Sequence, residues 1–291
     1  MDRTVGLVGA GSMAQALVSG WLGGRSALPA GSVWACNRSR DDRLTALAAM
    51  GAAVTRDKGE LCAAATTIVL AVKPVDAAAA LSALAPHLSA ERHLLISLVA
   101  GLSAEAIAVL SGQPDLPVVR AMSNTPSAVG SAATAIAAGP AASAAHLETA
   151  RALLSAVGDV IVVDEADLAA VTALSGSGPA YVYLLMEALH QAAGRLGLPP
   201  EVGRRLTAQT VLGAAKLALV SEHTPHELVR QVASPGGTTV AALEVLDARG
   251  FSQALVDAVV RAAERAGELG LAASAAALPE GGAALELPVR P

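Results

Sequence analysis

Two short stretches hold residues arranged for chemistry. The first is Gly9-Ala10-Gly11-Ser12-Met13-Ala14, a GxGxxA pattern directly after the apolar run TVGLVG and ahead of a helical pattern. Gly9 permits a tight turn, and Gly11 removes a side chain where a diphosphate would approach the backbone. Ala14 lets helix and strand pack closely, and the helix N-terminus faces the phosphates. In this context the pattern predicts dinucleotide binding, against the alternative of a plain structural turn. The second stretch is Ser234-Pro235-Gly236-Gly237-Thr238-Thr239, ahead of another amphipathic helix. Free helix N–H groups beside glycines and hydroxyls suit a small anion such as a carboxylate. The competing reading is a Ser/Thr N-cap after a proline turn. A cap accounts for one hydroxyl residue but not for paired glycines with two threonines, and the residues alone leave both readings open.

Other residues refine the nucleotide site. The second strand ends in Cys36-Asn37-Arg38-Ser39-Arg40, with no acid. An NAD enzyme usually carries Asp or Glu there to hold the ribose hydroxyls. Arginine and hydroxyl groups suit a 2′-phosphate instead. The segment therefore favours NADP(H) and admits NAD(H), the alternative being a solvated loop with incidental arginines. Ala71-Val72-Lys73-Pro74 ends the fourth strand, and ligands gather at the carboxyl ends of parallel strands. Lys73 either meets the cofactor or caps the strand as a solvated charge. Asn124, ahead of Thr125-Pro126, either bonds the cofactor or makes an Asx-turn. The small residues Gly176-Ser177-Gly178-Pro179-Ala180 allow close approach by a nicotinamide or by a partner helix.

These residues need a scaffold, and the pattern supplies one. Strands are expected at TVGLVG, SVWACN, AAVT, ATTIVLAVKP, HLLISLVAG, PVVRAMSN, ATAIAAG and DVIVVD. Helices of about ten residues between strands imply βαβ units and a parallel sheet. From about Asp164 to Gly270 the apolar spacing is helical throughout. The run from Glu165 to Gly197 is apolar nearly all round, so it must be buried in a bundle or an oligomer. The fold class is thus an α/β Rossmann-type domain with a doubly wound, mostly parallel sheet, followed by an all-α domain. The expected division is 1–163 for nucleotide binding, 164–270 for the helical domain, and 271–291 as a weakly packed, low-complexity tail.

Composition narrows the function. The 291 residues are 53% hydrophobic, enough for a sizeable core, while 2% aromatics and a net charge of −5 argue against a nucleic-acid surface. Cys36 and Cys62 form no CxxC, and the histidines, including His190, His223 and His226, show no metal spacing, so no metal is expected. These histidines read as surface or helix-end residues. Residues 4–24 carry no charge, which raises a signal peptide or membrane span as a rival reading. Six glycines and several polar residues break that run, and the α/β pattern continues past it. A soluble cytoplasmic protein without membrane or nucleic-acid partners is expected.

The segments VASPGGTTVAALE, LSGSGPAYVYLLMEAL, VRAMSNTPSAVG, AVKP and GLVGAGSMAQAL, in this order from the C-terminal end, resemble the signatures of pyrroline-5-carboxylate reductases. The resemblance runs from residue 4 to about 270. It implies NAD(P)H-dependent reduction of L-1-pyrroline-5-carboxylate, a cyclic imino acid, to L-proline, the last step of proline biosynthesis. It also implies a homodimer through interlocked helical domains, with dimers assembling into larger rings. By similarity, Ser234, Gly236, Gly237, Thr238 and Thr239 hold the substrate carboxylate. Thr239 matches the threonine near the ring nitrogen, as proton donor or as an orienting hydrogen-bond partner. Glu222 falls where the family has an acidic residue near the substrate, and it reads equally as a solvated charge. The implied cofactor set is Gly9, Gly11, Ser12, Met13, Asn37, Arg38, Ser39, Lys58, Ala71, Lys73, Pro74 and Asn124. Three features depart from the family: Ser12 where many relatives have Asn, Lys58 at a position often Asn, and the variant AMSNTP.

Two rivals remain on sequence. One is another NADP-dependent imine or hydroxyacid reductase of the same architecture. A hydroxyacid dehydrogenase usually needs a lysine in the interdomain helix, and none occurs between Lys73 and Lys216. The other is a non-catalytic nucleotide-binding paralogue, against which the intact Ser234–Thr239 loop argues.

Overall fold

The structure is a computed structural model and describes residues 4–23, 28, 29, 31–38 and 41–277. All eight expected strands form: β1 (Val5–Val8), β2 (Val33–Cys36), β3 (Ala53–Thr55), β4 (Thr67–Leu70), β5 (Leu94–Ser97), β6 (Val118–Met122), β7 (Ala132–Ala138) and β8 (Gly158–Val162). They make one sheet in the order β3-β2-β1-β4-β5-β6-β7-β8. The first six follow the doubly wound dinucleotide-binding order. Every residue of β1, β4 and β5 is buried, as expected of parallel strands covered on both faces. Among the described residues the one antiparallel pairing is β6 with β7, in the register Val119↔Ala138. Its cause is the length of the connection, since a parallel crossover needs a dozen or more residues and only the segment 123–131 joins these strands.

The helices of this half are α1 (Ser12–Gly23), α2 (Asp41–Ala49), α3 (Lys58–Ala64), α4 (Pro74–Leu84), α5 (Ala104–Leu110) and α6 (Ala144–Leu154). The uncharged N-terminal stretch is thus a strand and a helix of the core. The α1 helix buries Ala14, Leu17, Val18 and Trp21, and the Trp21 indole N–H donates to Leu153 O at 2.8 Å. Side chains of α1 and α6 fill one face of the sheet, and those of α3, α4 and α5 fill the other.

The remaining helices are α7 (Leu168–Val171), α8 (Gly178–Arg195), α9 (Pro200–Val220), α10 (Pro225–Val232), α11 (Thr238–Ala248) and α12 (Phe251–Ala277). Two of them correct the sequence expectation. The run from Glu165 is not one helix, because a π-helical turn at Thr172–Gly176 separates α7 from α8. A Cβ on Gly176 would lie 2.3 Å from Met122 Cε, so the Met122 side chain packs into the space this glycine leaves. Residues 271–277, expected in the tail, belong to α12, which continues to Ala277. Alanine is the best helix former, which carries the helix through AASAAA. Residues 278–291 lie outside the described chain.

Contacts divide the chain into two compact units, one reaching Ser177 and resuming at Ala262, the other Gly178–Arg261. In the first unit Arg120 of β6, mostly buried, pairs with Glu165 at 3.1 Å, and the same carboxylate accepts from Ala104 N at the start of α5. Burial lowers the Arg120 pKa, and Glu165 opposes that shift. In the second unit the buried residues are Gly203 and Thr207 alone, among the described residues. Exposed instead are Leu184 at 72%, Leu219 at 86% and Val220 at 81%. The stretch Glu165–Arg195 is long and apolar enough to cross a membrane by length and composition.

Candidate functional site

The nucleotide site forms at the carboxyl ends of β1, β2 and β4. The chain turns from β1 into α1 at Gly9, whose φ of +112° favours glycine. A Cβ there would lie 2.4 Å from Ala71 O, so the neighbouring backbone also forbids a side chain. Gly9 N–H donates to Cys36 O and Ala71 N–H to Val8 O, which ties the three strand ends together. Between them lies a cleft of about 290 Å³. Seven of the expected cofactor residues line it: Gly9, Gly11, Asn37, Arg38, Lys58, Ala71 and Lys73.

The other five are placed differently. Ser39 lies outside the described residues. Ser12 opens α1 with its side chain exposed, and Met13 packs partly against the sheet core. Pro74 is the first residue of α4, with Lys73 as its N-cap. None of these three lines the cleft. Asn124 does not line it either. Its side-chain N–H donates to Ser175 O at 3.0 Å, and its Oδ1 accepts from Ala133 N at 3.1 Å. These bonds match neither reading open for Asn124: its partners lie far along the chain, so they make no Asx-turn, and they latch the end of β6 to the π-helical turn.

The sequence reading missed Arg43 and Asp76, which also line the cleft. Arg43 sits in α2 and Asp76 in α4. The segment after β2 announced its arginines, but which helical face Arg43 takes depends on how α2 lies on the sheet. Arg38 stands 3.7 Å from Asp76, both well exposed. Arg43, Lys58 and Lys73 have no ion-pair partner among the described residues. With Arg38 they place four cationic side chains around one carboxylate, Asp76. Cys36 lines the same cleft; burial raises its thiol pKa, and Lys58 draws it back down. Cys62, buried on α3, is pushed up to about 11, by burial first and then by Cys36. Among the described residues no cluster of His, Cys, Asp and Glu could hold a metal ion.

The Ser234–Thr239 loop belongs to the other compact unit. The chain leaves α10 at Ala233 and enters α11 at Thr238. Gly237 N–H donates to Ser234 O at 3.0 Å, closing a turn, and Gly236 holds a φ of +69° within it. A Cβ on Gly237 would lie 2.5 Å from Ser234 Oγ. The two glycines therefore shape the turn, and the Gly237 N–H is spent on it. The next N–H groups, of Thr238 and Thr239, open α11 with no carbonyl four residues back inside the helix. The cap itself is a glycine, so no side chain closes this end. The hydroxyls of Ser234, Thr238 and Thr239 have no protein partner among the described residues. The Ser/Thr-cap reading fails on this geometry, whereas an anion-receptive helix end survives it. Glu222 is exposed in the connection between α9 and α10.

His190 departs from the surface reading of the histidines. It is half-buried in α8, with Nδ1 buried and unpartnered, beside Gly203 of α9.

Comparison with known proteins decides the family. A pyrroline-5-carboxylate reductase of Pseudomonas aeruginosa is 42% identical over 266 residues, 91% of this chain and 96% of its own. The chain belongs to the pyrroline-5-carboxylate reductase family. Residues 165–269 match the family described as pyrroline-5-carboxylate reductase dimerisation. Residues 4–101 match the one described as NADP oxidoreductase, coenzyme F420-dependent. A solved pyrroline-5-carboxylate reductase of Coxiella burnetii aligns at TM-score 0.86 and 37% identity, over 92% of this chain and 99% of its own. A Plasmodium falciparum pyrroline carboxylate reductase solved with NADP bound aligns at TM-score 0.82 and 26% identity, over 92% and 98%. This pyrroline-5-carboxylate reductase family match spans both the cleft and the Ser234–Thr239 turn.

Proposed function

We propose that the protein reduces L-1-pyrroline-5-carboxylate to L-proline, with NADPH preferred and NADH accepted. The observation that carries this is the open N-terminus of α11, with three unpartnered hydroxyls beside it, in a member of this family. The cleft of the sheet fits the cofactor: it is rimmed by cations, and it keeps a glycine, Gly11, that no protein atom crowds. Gly9, Gly11, Asn37, Arg38, Lys58, Ala71 and Lys73 hold the dinucleotide, with Arg38 and Lys58 toward the 2′-phosphate.

The nicotinamide, when bound, supplies hydride to the imine carbon. The chain's own task is to hold and orient the imine. The N–H groups of Thr238 and Thr239 and the hydroxyls of Ser234 and Thr238 bind its carboxylate, favoured by the helix dipole. The Thr239 hydroxyl faces the ring nitrogen. A threonine hydroxyl is a weak acid, so Thr239 orients an imine that enters already protonated. Glu222 adds a negative charge that favours this iminium form. Precise placement of this kind supplies much of the rate in a hydride transfer.

The same reading covers the helical unit. Its apolar surface is buried by a second copy in a homodimer, and dimers assemble further into a ring. A membrane is the weaker account of that surface, because α8 carries Glu187, His190 and Gln191 and the π-helical turn interrupts the run. The protein is placed in the cytoplasm.

The test is NADPH oxidation with pyrroline-5-carboxylate. The wild type turns over. Gly236→Val, which disrupts the left-handed turn residue, raises KM strongly. Thr239→Ala lowers kcat by about 10²-fold, the lower end of the scale for one transition-state hydrogen bond. A wild type inactive on this imine but active on others sinks the substrate assignment.

A further inference from the structure

The two fingerprint glycines are required for different reasons. Gly9 is demanded by the protein, since a Cβ there would strike the Ala71 backbone. At Gly11 the protein makes no such demand. A Cβ there would have one heavy atom within 4 Å, Arg43 Nη1 at 3.9 Å. The space over Gly11 is thus empty of protein except for one guanidinium that faces it. In a dinucleotide-binding turn this is the space through which the diphosphate passes.

Arg43 is costly where it sits. It belongs to the first turn of α2, where the helix dipole opposes a positive charge. Asp41, at the start of that turn, is engaged elsewhere, by Arg56. Arg43 is only half-exposed and has no partner among the described residues. An unpaired guanidinium, held against its own helix and over an uncrowded glycine, is arranged for an anion that binds from outside.

We propose that Arg43 carries the diphosphate of the cofactor, and that it does so separately from Arg38 and Lys58. The latter pair stands at the ends of β2 and β3, where the adenosine ribose is read. The division rests on the dinucleotide reading of this cleft. It makes Arg43 a determinant of affinity for both nicotinamide cofactors, and Arg38 and Lys58 determinants of the choice between them.

The experiment is equilibrium binding of NADPH and of NADH, followed by nicotinamide fluorescence, to the full-length protein. Both ligands carry the diphosphate, and only NADPH carries the 2′-phosphate. Arg43→Ala should weaken both by a similar factor of about ten or more, the scale of a lost charged hydrogen bond. Arg43→Lys should recover part of the loss for both. Arg38→Ala and Lys58→Ala should weaken NADPH several-fold more than NADH. Loss confined to NADPH in Arg43→Ala would place this side chain on the 2′-phosphate and overturn the proposal. Binding of both ligands within twofold of wild type would overturn it too. If the wild type binds neither cofactor, the dinucleotide reading itself falls. Thermal melts of each variant separate lost contacts from lost folding.

Discussion

The two compact units solve the problem of apolar surface in opposite ways. The sheet unit closes on itself: Trp21, Leu7, Ile68 and Ile96 are among its fully buried side chains, and both faces are covered. The helical unit has no comparable interior, since Gly203 and Thr207 are its buried residues, and leucines and valines line its outside. A chain segment with such a surface depends on something else to cover it. The difference teaches that one substitution type should have two outcomes in this molecule. An apolar deletion in the sheet unit is a folding defect, whereas in the helical unit it is an assembly defect.

The largest effect should come from Trp21→Ala, which empties a large core site and removes the bond to Leu153 O. A loss of about 3–5 kcal/mol is expected, read from denaturant unfolding. Next, Leu184→Asp combined with Leu219→Asp should convert a dimer to a monomer in light-scattering chromatography. Central apolar contacts are worth about 2 kcal/mol or more each in an interface. NADPH binding should persist in that monomer, because the cleft belongs to the other unit. A variant that stays dimeric would break the comparison.

Cysteine chemistry probes the sheet unit more gently. The Cys62 thiol is pushed up to about 11, and that of Cys36 is raised as well. The folded state holds these protons more tightly than the unfolded chain does. Their contribution to stability is therefore full below the ordinary thiol range and is lost as pH rises toward 11 for Cys62. Alkylation at pH 8 should label neither cysteine until denaturant is added.

The smallest effect lies in α10 of the helical unit. The Glu227 carboxylate accepts from Thr224 N–H and Oγ1–H in a capping box, which holds its pKa below the usual carboxylate value. A depressed carboxylate stabilises above its unfolded pKa, and the gain is lost as pH falls through the folded value. A melting profile in mild acid should show this slope in the wild type, and Glu227→Gln should flatten it.

Much of this was legible from residue types. The eight strands announced themselves as β-branched runs, and the glycine fingerprint located the cleft. The Ser234–Thr239 segment read correctly as a turn ahead of a helix, but the partner of Gly237 N–H needed coordinates. The π-helical turn at Thr172–Gly176 was invisible because an extra residue per turn changes no composition. The short link from β6 to β7 did carry a usable signal for the antiparallel strand. Asn124 and Arg43 traded expectations for one reason: the fate of a polar side chain depends on what the fold sets beside it. Ser175 and Ala133 meet the first, and Gly11 meets the second.

One more consequence comes from α12. Its last turns return to the sheet unit, where Gly270 lies against Gly101 and Ala273 packs on the core. Gly101, after β5, meets Gly270 only after the intervening helical unit has been made. On a ribosome the nucleotide-binding half, though first to emerge, must wait until α12 has been made before its last piece arrives. Truncated nascent chains ending before Ala262 should bury less of this half than the released protein does.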